Sequence, residues 1–144
     1  KSNHTLRYSG TKLCNLYCTY EMAARIKDEI TKSITVNAFN PGFMADTGLG
    51  GSANSAGERI VKHIAPMLAR ILGTYSFAKK SGKLLADMMT GKQYENITGK
   101  YFDRGKEVSS SELSYSKANA VNLWERSIEL TQLQQSETFF KLQK

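Results

Sequence analysis

The sequence contains few of the residues that cross-link a chain or bind metal. Its 144 residues include two cysteines, two histidines and two prolines. Two cysteines cannot form the disulfide framework of a small secreted domain, and neither histidine lies at a metal-ligand spacing from Cys14 or Cys18. The longest stretch without a charged residue, 33–45, is too short and too polar to span a bilayer. These features argue against a disulfide scaffold, a zinc finger and a membrane span.

The remaining composition is that of an ordinary globular domain. Hydrophobic residues make up 40% of the chain and charged residues 23%, with a net charge of +7. The closest basic cluster, Lys79, Lys80 and Lys83 near Phe77, is typical of a solvated helix face, so no nucleic-acid partner is predicted. No apolar leader follows Lys1, and the cysteines suit a reducing compartment. We therefore expect a cytoplasmic protein.

Hydrophobic periodicity and turn residues predict an α/β fold. The apolar spacing of Leu13, Leu16, Tyr17 and Tyr20 predicts a helix at 9–29. The other predicted elements are a strand at 33–40, a Gly-rich loop at 48–57, helices at 58–72 and 76–90, a strand at 99–103, a polar loop at 106–114 and a helix at 116–134. In these predictions Ser76 caps the second of the two middle helices and Gly91 ends it. Only two strands are predicted, which is too few for a complete wound sheet.

Tyr8 and Lys12 are the first candidate for chemistry. Their i, i+4 spacing places both side chains on one helix face. A phenol, with an ordinary pKa of about 10, is a poor acid or base at neutral pH. An ammonium held nearby stabilises the phenolate and fits the phenol for proton transfer to or from a carbonyl oxygen. The same pair also suits a surface tyrosine and lysine with no catalytic role.

A second candidate follows the first predicted strand. That strand ends at Pro41-Gly42 and leads into a Gly-rich loop, the position at which open α/β sheets bind ligands. Backbone groups after the turn, together with the Thr47 hydroxyl, suit a carboxamide or phosphate. Pro41-Gly42 is equally compatible with a plain turn.

Taken together, these segments resemble the short-chain dehydrogenase/reductase family. The resemblance covers nearly the whole chain and is strongest to the protochlorophyllide-reductase and retinol-dehydrogenase-like branch. The segments that carry it are Tyr8-Ser9-Gly10-Thr11-Lys12, Lys12-Leu13-Cys14-Asn15, Pro41-Gly42-Phe43-Met44-Ala45-Asp46-Thr47-Gly48-Leu49 and Asn122-Leu123-Trp124-Glu125-Arg126-Ser127. The plant-type protochlorophyllide enzymes carry a cysteine directly after Pro-Gly, where this chain has Phe43. This departure argues against pigment reduction.

The resemblance implies the C-terminal portion of a Rossmann-type, doubly wound parallel sheet. Residues 1–144 would form a single partial domain, with the substrate loop and its helices at about 48–90. The family's Gly-rich dinucleotide turn and catalytic serine precede the tyrosine, so we expect the dinucleotide-binding half to lie outside this sequence. Gly48-Leu49-Gly50-Gly51 does not replace that turn, because it lacks the G-x-G-x-x-G spacing into a helix.

The implied function is hydride transfer between NAD or NADP and a carbonyl, an alcohol or an activated double bond. Tyr8 would be the proton donor or acceptor, and Lys12 would assist it and bind the nicotinamide ribose. The cofactor-binding residues implied by the resemblance are Tyr8, Lys12, Pro41, Gly42, Phe43, Met44 and Thr47; no metal is implied. A small, apolar substrate and a homo-oligomer through the helix at 9–29 are also expected. The alternative is a non-catalytic fragment or split-gene remnant that serves only as an interaction or structural module.

Overall fold

The computed structural model describes residues 4–29, 34–42, 64, 67, 71 and 77–142, in two compact units. The first unit comprises Lys1–Ala38, Glu95–Tyr101 and Val108–Lys144, and the second comprises Phe39–Tyr94 and Phe102–Glu107. The helices are α1 (His4–Glu29), α2 (Ala78–Thr90) and α3 (Lys117–Thr131), and the strands are β1 (Ala38–Asn40), β2 (Tyr101–Asp103) and β3 (Lys106–Val108). Single 3₁₀ turns lie at Lys92–Tyr94, Glu112–Tyr115 and Gln135–Glu137. The described part of the chain is thus α/β, as predicted.

Helix α1 is longer than predicted. It ends at Glu29 as expected, but it begins at His4 rather than at residue 9. Leu6 and Arg7 are strong helix formers, and no proline interrupts the first turns. Gly10 lies inside the helix with open space where a side chain would stand. The early start therefore follows from the helix propensity of these residues, which the predicted boundary at residue 9 did not take into account.

The core of the first unit lies where α1 packs against α3. Tyr17, Ala23 and Ile26 of α1 are buried, as are Ala120 of α3 and Phe140 near the C-terminus. The predicted apolar face of α1 is confirmed, because Tyr17 is buried and three further members are half-buried: Leu13, Leu16 and Tyr20.

Helix α3 is bounded by residues with capping geometry. The Ser116 hydroxyl accepts a hydrogen bond from the Asn119 amide at 3.4 Å, which satisfies one of the free donors of the first turn. At the other end Gln132 adopts a left-handed conformation, with φ of 54°, and its amide donates to the Ile128 and Glu129 carbonyls. The predicted start is confirmed, but the helix ends at Thr131 and not at 134 because of this left-handed residue.

The sheet has the order β1-β2-β3. Ladder bonds join Gly99 N to Val36 O, Ala38 N to Lys100 O and Arg104 N to Asn40 O, and the residue numbers rise along both segments. This pattern is that of parallel strands. The predicted strand at 33–40 is shorter in the structure, because only Ala38–Asn40 adopt strand geometry.

Strands β2 and β3 form a hairpin that was not predicted. Arg104 and Gly105 connect them with φ values of 51° and 82°, the two positive angles that a type I′ turn requires. The predicted loop at 106–114 was therefore wrong: it contains β3 and the 3₁₀ turn Glu112–Tyr115.

The second unit holds α2 and the 3₁₀ turn that follows it. Phe77 occupies the N-cap of α2 without a side-chain hydrogen bond, so the expected cap at Ser76 was wrong. Gly91 ends the helix as predicted, and its amide donates to the Asp87 carbonyl at 2.7 Å. Phe102 is buried and meets the Tyr94 ring edge-on, with centroids 5.6 Å apart. The predicted helix at 58–72 falls outside the described residues, apart from the helical residues 64, 67 and 71.

Candidate functional site

Tyr8 and Lys12 lie together on the exposed first half of α1. The Lys12 ammonium nitrogen is 5.4 Å from the centroid of the Tyr8 ring, a cation–π distance. The Tyr8 side chain is 64% exposed, and Lys12 is exposed as well. The Thr11 hydroxyl between them donates to the Tyr8 carbonyl at 2.7 Å. The predicted shared face is confirmed, and it places an ammonium beside a phenol.

The turn after β1 is fixed by the side chain of Asn40. Its amide nitrogen donates to an Asp103 carboxylate oxygen at 3.0 Å, and its amide oxygen accepts from the Gly42 backbone at 3.1 Å. Gly42 has φ of 82°, a conformation that favours glycine. The Ser81 hydroxyl of α2 donates to the Pro41 carbonyl at 3.1 Å. Pro41 and Gly42 thus form a well-defined turn at the carboxyl end of a parallel strand.

The remaining predicted site residues, Phe43, Met44 and Thr47, lie outside the described residues. The structure brings Tyr8 together with Lys12 in the first unit, and Pro41 together with Gly42 in the second unit. Each pair is described within its own unit.

A cluster of four hydroxyl groups, which was not predicted, joins α1 to the segment before α3. The Tyr20 and Ser110 hydroxyl oxygens are 2.6 Å apart, and the Ser110 and Ser114 hydroxyl oxygens are also 2.6 Å apart. The Tyr115 ring stacks on Tyr20 with centroids 5.3 Å apart, and its phenol oxygen accepts from the Ser110 amide at 2.9 Å. We call Tyr20, Ser110, Ser114 and Tyr115 the hydroxyl cluster.

The two phenols of the hydroxyl cluster differ in acidity. Burial raises the pKa of Tyr20, and hydrogen bonds from Ser110 lower the pKa of Tyr115. Ser114 is almost completely buried. The sequence signal for the cluster is the run of serines before Tyr115. This run does not predict a contact between Ser110 and Tyr20, which are 90 residues apart in the chain. Its bonds hold the 3₁₀ turn Glu112–Tyr115 against α1.

An ion pair between the buried Glu21 and the half-buried Arg25 lies further along α1. The Arg25 Nε donates to a Glu21 carboxylate oxygen at 2.7 Å, and the Arg25 guanidinium lies 5.0 Å from the Trp124 ring centroid. The Phe140 ring meets the Trp124 ring edge-on, with centroids 5.3 Å apart. These contacts stabilise the packing of the first unit and present no open site.

Comparisons with known proteins do not extend this description. The sequence matches no protein-family model and no curated protein. Among the described residues, no group of three or more His, Cys, Asp or Glu side chains has the geometry to hold a metal ion. Across those same residues, no helix is long and apolar enough to cross a membrane.

Proposed function

We propose that the chain is the C-terminal part of an NAD(P)-dependent oxidoreductase of the short-chain dehydrogenase/reductase type. The observation that carries the proposal is the Lys12 ammonium held 5.4 Å from the Tyr8 ring on one face of α1. It is supported by the parallel pairing of β1 with β2, since parallel strands are the units of a Rossmann-type doubly wound sheet. The turn at Pro41-Gly42, at the carboxyl end of β1, is a second support.

The available side chains suit a nicotinamide cofactor. When bound, the nicotinamide supplies or accepts the hydride. Lys12 would bind the ribose hydroxyls, and Tyr8 would transfer a proton to or from the substrate oxygen. The Gly42 amide already donates to Asn40. By the resemblance, Phe43, Met44 and Thr47, which follow this turn in the sequence, would supply the further cofactor contacts.

Because Tyr8 is exposed, the proposed function requires that another part of the enzyme or the substrate cover it. Proton transfer is more effective where water is excluded, and Tyr8 is largely exposed. In the proposed enzyme, the dinucleotide-binding half and the substrate would cover this part of α1. The substrate would be a small apolar carbonyl compound, an alcohol or a compound with an activated double bond.

The exposure of Tyr8 and Lys12 favours a second candidate, a non-catalytic interaction or structural module. In that case the pair would act only as a surface cation–π contact. The two candidates differ in cofactor binding, which the module would lack.

The test is NAD(P)H oxidation with a panel of apolar carbonyl substrates, measured on the protein expressed from its complete gene. Tyr8→Phe should lower kcat by about 10²- to 10⁴-fold, the range of general acid–base catalysis, with cofactor binding retained. Lys12→Met should weaken both turnover and cofactor binding. Lys27→Met, on the exposed surface of the same helix, is the matched control and should keep both.

Two results would overturn the proposal. One is normal turnover in Tyr8→Phe, which would remove Tyr8 from the chemistry. The other is the absence of NAD and NADP binding by the folded wild-type protein, which would leave the structural module.

The expected homo-oligomer through the helix at 9–29 is part of this proposal. Within that range, the apolar residues available for it on the first half of α1 include Leu13 and Leu16, which are half-buried. Light scattering coupled to gel filtration, with Leu13→Lys as the disrupting variant, tests it.

A further inference from the structure

Helix α2 has an exposed apolar stripe along one face. Ala78, Gly82, Leu85 and Met89 follow one another at helical spacing, and all four are exposed. Met89 is 79% exposed. A Cβ atom added to Gly82 would meet nothing within 4 Å, so the middle of the stripe faces open space. A stripe of this kind lacks the burial that normally accompanies an apolar helix face.

The other exposed flank of α2 is basic. Lys79, Lys80 and Lys83 lie there with a single acidic residue, Asp87, and all four side chains are exposed, so the flank keeps a net positive charge. Ser81 is buried and Leu84 and Met88 are half-buried, so the packed face lies between the apolar stripe and the lysines. A helix with lysines on one side and exposed Leu and Met on the other is typical of interfacial helices.

A second set of exposed apolar side chains belongs to the same unit. Ile64, Met67 and Ile71 are each helical. They are exposed as well, with Ile71 at 70%. The second unit thus exposes apolar side chains at these three positions as well as on α2, which also carries three lysines.

We propose that the second unit binds the headgroup region of an anionic phospholipid bilayer through α2, with Ile64, Met67 and Ile71 as further exposed apolar side chains of the same unit. Leu85 and Met89 enter the boundary between headgroups and acyl chains, and the three lysines pair with lipid phosphates and carboxylates. Apolar burial and electrostatic attraction then act together, as in peripheral membrane helices. The chain's net charge of +7 favours the approach.

Charge complementarity selects a lipid surface over the other candidate occupants. A two-fold contact between two copies through the stripe would bury its apolar side chains but would leave the three lysines, which lie on another flank of α2, without anionic partners. Single-stranded nucleic acid uses several aromatic stacking platforms beside its basic contacts, whereas 77–90 has a single aromatic residue, Phe77, and the stripe consists of Ala, Gly, Leu and Met. An anionic bilayer satisfies the lysines and the apolar stripe at once.

The test is co-sedimentation of the full chain with vesicles of phosphatidylcholine alone and of phosphatidylcholine mixed with phosphatidylserine. We expect binding to the anionic vesicles, weakened by salt. Replacing Lys79, Lys80 and Lys83 with Gln should lower the partition coefficient by about fivefold for each lysine. The matched control replaces three exposed lysines elsewhere: Lys27, Lys106 and Lys117.

The apolar stripe is tested in both directions. The double change Leu85→Ser with Met89→Ser should abolish most of the vesicle binding, whereas Leu130→Ser, at a site that is 83% exposed on α3, should not. Gly82→Leu should strengthen binding, because the added side chain has open space on the stripe. Gly10→Leu is its control, since Gly10 also lies in a helix with nothing within 4 Å of an added Cβ.

Circular dichroism establishes that each variant is folded before binding is compared. The proposal is overturned if the folded wild-type chain does not bind anionic vesicles, or if Gly82→Leu fails to bind more tightly than Gly10→Leu. A dimer that disappears in the Leu85→Ser, Met89→Ser variant would instead assign the stripe to a second copy. If the chain instead bound an oligonucleotide but no vesicles, and if only the lysine replacements weakened that binding, the surface would be assigned to nucleic acid. None of these readouts depends on NAD(P) or on turnover.

Discussion

The two halves of helix α1, 4–16 and 17–29, both carry apolar side chains but have different surroundings. In the first half, Leu6, Tyr8 and Lys12 are exposed, and the candidate catalytic pair lies there. In the second half, Tyr17 and Ile26 are buried against α3 and the turn Glu112–Tyr115. Helical periodicity is the same in both halves, so only the position of the packing partners makes one half a core element. The difference separates residues that hold the fold from residues available for function.

The largest difference between the halves is expected for aliphatic side chains. Ile26→Ala should lower the free energy of unfolding by about 3 kcal/mol, because it removes buried methyl groups and leaves a cavity. Leu6→Ala, at a site 70% exposed, should change it by less than about 0.5 kcal/mol. Urea unfolding followed by circular dichroism measures both. Equal effects would mean that the first half of α1 is also buried in solution.

The ion pairs offer the next comparison. Arg25→Met leaves the buried Glu21 carboxylate without its partner, and we expect a loss of about 2 kcal/mol, since Arg25 itself keeps some exposure. Arg126→Met breaks a pair with a similar distance, 2.6 Å, in which both side chains are about two-thirds exposed. That change should cost about 0.5 kcal/mol or less. A loss for Arg126→Met as large as that for Arg25→Met would contradict the assigned burial.

Two tyrosines of α1 should separate stability from activity. The Tyr17 phenol donates to the Leu113 carbonyl and accepts from the Asn119 side chain, both at 3.1 Å. Tyr17→Phe should therefore cost about 1 kcal/mol of stability. Tyr8→Phe should leave stability unchanged, while it removes turnover in the proposed enzyme. The comparison fails if Tyr8→Phe destabilises the chain as much as Tyr17→Phe does.

The smallest expected difference concerns the two cysteines, one in each half. Cys14 is exposed and Cys18 is half-buried, and burial, followed by the nearby Cys14, raises the pKa of the Cys18 thiol. Because the thiolate is the reactive form, a raised pKa leaves less of it at a given pH. We expect iodoacetamide at pH of about 8 to modify Cys14 several-fold faster than Cys18.

The rate for Cys18 should continue to rise at pH values where an ordinary thiol has levelled off. Cys14→Ser and Cys18→Ser identify the two phases by mass spectrometry, and the difference should disappear in urea. A faster reaction at Cys18 would contradict its burial.

Local signals account for the parts of the fold that were predicted. The end of α1, the start of α3 at Ser116 and the end of α2 at Gly91 each depend on propensity or capping within a few residues. The hairpin was not predicted because its turn places Arg104 at a positive φ. Arginine seldom adopts this conformation, so the residue type gives no signal for the turn. The strand at 33–40 was overestimated because Val36 and Asn37 contact the neighbouring segment partly through side chains: the Val36 amide donates to the Thr98 hydroxyl at 3.0 Å, and the Asn37 side-chain amide donates to the Ile97 carbonyl at 2.7 Å. β-Propensity does not predict such bonds.

The candidate site follows the same division. The proximity of Tyr8 and Lys12 was predictable from their i, i+4 spacing and is confirmed. The hydroxyl cluster was not predictable, since Tyr20 meets Ser110 and Tyr115 only after the chain has folded back over 90 residues. The oxidoreductase function stays a proposal based on resemblance and on this local geometry.

By itself, the sequence determined the α/β character of the chain, the apolar face of α1, the cap of α3 at Ser116 and the shared face of Tyr8 and Lys12. All of these depend on backbone propensity and on helical periodicity, which act over a few residues. The tertiary structure alone decided which half of α1 is buried, which segments pair in the sheet and which hydroxyl groups meet. These features depend on contacts between residues far apart in the chain. The free energy of such contacts cannot be predicted from the residue pattern of a short segment.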